Sequence, residues 1–111
     1  MKIKHRGKEI ELENIKKVNL LGEAIGLMLC SRKKARALLF DFEKSTKMKL
    51  HSFFVFFPFI AIWLDKENNI LDFKKIKPFQ INVGIEKSFY KIVEIPIKKE
   101  YFGILALLDG N

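Results

Sequence analysis

Few side chains in this 111-residue chain have the types and neighbours that catalysis or metal binding needs. His51 heads the stretch HSFFVFFPFIAIWLD, residues 51–65. With Asp65, Asp72 or Glu94 it can act as a general base or a metal ligand. The structural alternative is a half-buried histidine hydrogen-bonded to backbone. Glu94 stands between Val93 and Ile95. A carboxylate there must find a donor or face water, so it reads either as a paired structural acid or as the acidic member of a polar pocket with His51. Ser52 beside His51 is not a nucleophile–base pair, because adjacent strand residues point to opposite faces, and no G-x-S-x-G elbow is present. His5 is too far along the chain from His51 for metal-ligand spacing. Cys30 is the only cysteine. It can pair with nothing in the chain and reads as a buried small hydrophobe or, beside a basic run, as an activated thiol. No dinucleotide, P-loop, zinc-protease or calcium-loop motif occurs, and no metal or cofactor is expected.

Anion contact is the second chemistry. The formal charge is +8. Residues 1–49 hold 13 Lys/Arg against 6 Asp/Glu, a net of +7. The candidate phosphate contacts are Arg32, Lys33, Lys34 and Arg36, then Lys47 and Lys49, with exposed aromatics to stack on bases. The partner is then nucleic acid; a protein partner is the other reading. Lysine outnumbers arginine 18 to 3, which equally suits a solvated surface.

These residues must be positioned by a small folded body. The composition, 49% hydrophobic and 31% charged with 11 Phe, is that of one soluble globular domain in the cytoplasm. Residues 53–64 are apolar throughout but too short for a membrane helix, and Pro58 interrupts them. No membrane association is expected, and residues 1–11 contain no apolar signal core. Alternation predicts a hairpin over 2–6 and 8–12 about Gly7, and a strand over 15–20. Leu20, Leu21, Ala24, Leu27 and Met28 predict a short helix over 21–30. Further strands are expected at 37–43, with Leu38, Phe40 and Phe42 on one face, and at 49–57, 59–64 and 89–97. Glu67-Asn68-Asn69 signals a turn joining 59–65 to a strand at 70–73 as a hairpin; 80–88 reads as a loop. The tail FGILALLDG is apolar enough to dock on the body. The expected class is mainly β (β-rich α+β), a single compact barrel or sandwich with one short helix, and the run 53–64 belongs in its core.

The order of these pieces has a parallel. Gly26-Leu27-Met28, the strand ALLFDF (37–42), HSFFVFFPFIAIWLD (51–65) and YKIVEIP (90–96) follow one another as in the domain of unknown function 192 family of small prokaryotic proteins. The chain resembles that family over roughly residues 15–97 through the combined order and spacing. Gly26, Leu27, Met28, Phe40, Phe42, His51, Pro58, Asp65, Glu94 and Pro96 occupy matching positions, whereas Ile60 stands where the family has an acidic residue. The resemblance implies a compact β-rich fold and no particular activity. The expected function is therefore non-enzymatic binding or an accessory role. Nucleic-acid binding by the basic N-terminal half is the alternative, and a hydrolase or metal enzyme using His51 with Glu94 or Asp72 is the third reading.

Overall fold

The computed structural model describes residues 1–18, 31–52 and 55–108. The chain opens with a hairpin of β1 (Lys2–His5) and β2 (Lys8–Glu11), in which Ile3 faces Ile10. Arg6 and Gly7 form its turn, both at positive φ (52° and 78°). That conformation matches the natural twist of two antiparallel strands, and glycine adopts it without a Cβ clash. Five strands make the main sheet: β3 (Ile15–Lys17), β4 (Ala37–Thr46), β5 (Phe59–Leu64), β6 (Ile70–Ile76) and β7 (Phe89–Pro96). Their order is β3-β4-β7-β5-β6, with only the β3–β4 pair parallel. A parallel pair needs a crossover of a dozen residues or more, and 18–36 supplies it. A 3-10 turn, Lys99–Tyr101, leads into α1 (Phe102–Leu108). The molecule is thus mainly β with two sheets, as its patterning predicts. The main sheet is open, with β3 and β6 at its edges, so the barrel alternative falls. The expected helix over 21–30, with Gly26-Leu27-Met28 and Cys30, lies within 19–30, outside the described residues. No helix among the described residues is long and apolar enough to cross a membrane.

The all-apolar strand β5 is explained by burial from both sides. Phe59, Ala61 and Trp63 share one face with Leu38, Phe89 and Ile92. Ile62 and Leu64 lie on the other with Val93 and Ile95. The β1–β2 hairpin and α1 cover the second face through Ile3, Ile10, Tyr101 and Leu108. Two segments, 47–58 and 77–88, cover the first through Val55, Phe57 and Ile85. Each such large side chain, fully buried, contributes about 1.5–3 kcal/mol. Leu38, Phe40 and Phe42 do line one face of β4, and Leu108 docks the C-terminal helix.

Segment 49–57 departs from expectation. Its described residues are irregular rather than a strand, and the one β-bridge they make to 77–88 is Leu50–Val83. The reason is a side chain. Ser52 is fully buried, its Oγ accepts from the Gln80 N–H (2.7 Å) and donates to the Lys77 carbonyl (2.6 Å). Its own N–H donates to the Gln80 carbonyl and its carbonyl accepts from Phe79. The hydroxyl thus supplies partners that a regular ladder would otherwise provide.

Candidate functional site

Glu94 is the one buried acid among the described residues. Strand register sets it between Leu38 of β4 and Ala61 of β5, on the face that carries Trp63. Val18 and Ala35, at either side of the crossover, are buried in the same cluster. Among the described residues nothing donates a hydrogen bond to Glu94, and burial pushes its carboxyl up to about 7. The indole Nε1 of Trp63 is buried and unpartnered on that same face. Lys74 lies over the Trp63 ring, 5.9 Å from its centroid, and its Nζ donates to the Gly84 carbonyl.

The other acids expected near Glu94 are placed elsewhere. Asp72, on edge strand β6, pairs with Trp63 rather than Ala61, so it lies two strands and two residues away from Glu94, about 12 Å. It is exposed and accepts a hydrogen bond from the Phe73 N–H. Asp65 closes the β5–β6 hairpin four residues beyond Ala61, about 13 Å off. Its carboxylate accepts from the N–H groups of Glu67 and Asn69 and from the Asn69 side-chain amide. Burial pushes the Asp65 carboxyl up, but these bonds and Lys4 outweigh it and hold the group below the usual range. His51 is exposed on the covering segment, next to the Leu50–Val83 bridge. Asp65 and Asp72 therefore act locally, in a turn and at a strand edge. Ser52 is committed to the segment contacts. An open groove lined by Asp41, Glu43, Lys44, Ser45, Lys66, Tyr90 and Lys91 contains none of the four. No group of three or more His, Cys, Asp or Glu among the described residues is placed to hold a metal ion.

The basic candidates divide into two sets. Arg32, Lys33, Lys34 and Arg36 precede β4, while Lys47 and Lys49 follow it. A bulge between Asp41 and Thr46 shortens β4, yet its pairing from Leu38–Glu94 to Thr46–Phe89 still holds Arg36 and Lys47 about 25 Å apart. Arg32 is engaged structurally, its guanidinium donating to the Ile97 carbonyl through Nε (3.1 Å) and Nη2. In return Lys98 Nζ donates to the carbonyls of Arg32 and Lys33.

Around the second set lies a feature that the sequence pattern did not reveal. Phe56 and Phe79 are 60% and 53% exposed, and their rings meet edge to face at 5.7 Å. Met48 and Ile81 are also exposed on these two segments. Phe79 adopts φ 61°, a left-handed conformation that bulky residues rarely take. Segments 47–58 and 77–88 carry Lys47, Lys49, Lys77 and Lys87 against a single acid, Glu86. Only one sequence signal pointed here: Pro78-Phe79 inside a segment without apolar alternation.

No protein-family model matches the chain, and no curated protein and no solved structure matches it.

Proposed function

We propose that the protein is a non-enzymatic binding domain of the prokaryotic cytoplasm, akin to the domain of unknown function 192 family, with the outer surface of 47–58 and 77–88 as its binding face. The observation that carries this reading is the exposed Phe56–Phe79 pair on backbone fixed by Ser52. More than half of each phenylalanine's surface lies in water, from which an apolar contact would remove it. A rigid support lowers the ordering cost of a contact made through them. The motif order of residues 15–97 supports the family, and one cysteine suits a reducing compartment.

The test is an NMR titration of the whole protein against oligonucleotides, polyphosphate, acidic peptides and anionic vesicles. Saturable shifts centred on Met48, Phe56, Phe79 and Ile81 are the expected result. Shifts centred elsewhere, or no saturable ligand, would count against it. A turnover that disappears on His51→Ala or Glu94→Gln would replace it with an enzymatic reading.

A further inference from the structure

We propose that this face binds single-stranded nucleic acid, with Phe56 and Phe79 stacking on unpaired bases while Lys49 and Lys77 contact phosphates. The inference rests on the binding reading above and names its ligand class. Three observations lead to it. First, the charge of the two segments is complementary to a polyanion: four lysines against Glu86 alone. Lysine supplies the non-specific, salt-sensitive part of such binding. Second, the exposed apolar side chains of these segments, Met48 and Ile81 apart, are the two aromatic rings of Phe56 and Phe79, and a nucleobase offers a π-face to any exposed ring. An acidic peptide without apolar side chains would use the lysines and leave both rings in water. Third, the two ring planes are inclined at 69°. A continuous duplex stack cannot meet both, whereas splayed single-stranded bases can turn to each in succession. The Leu50–Val83 bridge and the Ser52 bonds hold the support in place before the ligand arrives.

Fluorescence anisotropy of the intact protein tests this, with a labelled deoxythymidine strand of about ten nucleotides as the probe. A duplex of equal length and inorganic polyphosphate serve as competitors. The expected result is micromolar affinity for the strand, weaker competition by both others, and a log–log salt slope of about −1.4 for the two phosphate contacts. Phe56→Ala and Phe79→Ala should each weaken binding roughly tenfold without changing that slope. Phe79→Trp should retain it, which separates a lost ring from a disturbed loop. Lys49→Gln and Lys77→Gln should each lower the slope by about 0.7. If polyphosphate competes equally and both alanine variants bind like the parent, the nucleic-acid inference is wrong and a general polyanion face remains. Acidic peptide bound in place of the strand overturns it likewise. Absence of any saturable ligand at low salt overturns this inference and the binding reading together.

Discussion

Glu94 holds its proton near neutrality because the folded chain surrounds it with apolar neighbours and offers its carboxyl no donor among the described residues. Its folded value, about 7, lies above the ordinary 4.5. Below pH 4.5 the carboxyl is protonated in both states. Between 4.5 and about 7 the unfolded chain releases the proton while the folded chain keeps it, so stability falls as pH rises. The full loss is about 3 kcal/mol and is complete above the folded value. Chemical denaturation from about pH 5 to about pH 8 should show that decline. Glu94→Gln should flatten it and leave the variant more stable than the parent at the alkaline end; a decline that persists in Glu94→Gln would assign it to another group. The Asp65 shift runs the other way, its stabilisation being lost only as acid protonates the turn. Ser52 gives the second prediction at this scale. Ser52→Ala leaves the Lys77 carbonyl and the Gln80 N–H without the hydroxyl. About 2 kcal/mol should be lost in denaturant unfolding, because buried polar groups deprived of a partner cost more than the bond was worth. A stability within a few tenths of the parent's would mean water replaces the hydroxyl.

Elements were legible where one face of a strand packs and the other does not, or where both pack. The β1–β2 hairpin follows from Ile3, Ile10 and the Arg6-Gly7 turn, and β5 from an unbroken apolar run closed by Asp65. Segment 49–57 was not legible, because periodicity cannot distinguish a strand from an irregular segment whose backbone is bonded by one buried serine. The attachment of the C-terminal helix was visible only as hydrophobicity. What fixes it is Tyr101, whose hydroxyl accepts from the Ala37 N–H (2.8 Å) and donates to the Asn14 carbonyl (3.3 Å). One phenol thereby ties the turn before α1 to the start of β4 and to the β2–β3 connection. Tyr101→Phe keeps the ring's packing and leaves a buried N–H unpaired. The expected cost is about 1–3 kcal/mol in denaturant unfolding. Amide exchange at Ala37 should accelerate, whereas exchange in β5 should change only with global stability. An Ala37 amide as protected as before would show that the hydroxyl is dispensable.

At the scale of the whole molecule, the charges were legible but their arrangement was not. A sequence shows Arg32 to Arg36 and Lys47 to Lys49 as neighbours in one basic half; the length of β4 sends them to opposite ends. Phe56 was hidden for a related reason, since nothing local tells which phenylalanine of the apolar run 53–64 will face water, whereas Pro78-Phe79 left one signal. This separation yields a prediction that the basic half, taken as a unit, would not. Replacing Lys33, Lys34 and Arg36 together by Gln should change affinity for a short single strand less than about twofold, because these groups lie beyond the roughly 10 Å over which exposed charges act in 0.1 M salt. Arg32 is left in place, since its guanidinium serves the Ile97 carbonyl. Replacing Lys47, Lys49 and Lys77 removes the same amount of charge and should abolish most of the salt dependence. Salt should also act with opposite signs on fold and ligand. It screens the self-repulsion of a chain carrying +8 and so favours the compact state, while it weakens phosphate contact. Thermal unfolding of the free protein and strand affinity, measured across one salt series, should therefore move in opposite directions. If the Lys33, Lys34 and Arg36 triple variant instead loses binding as severely as the other triple, the ligand lies at the β3–β4 end and the phenylalanine face is not where it sits.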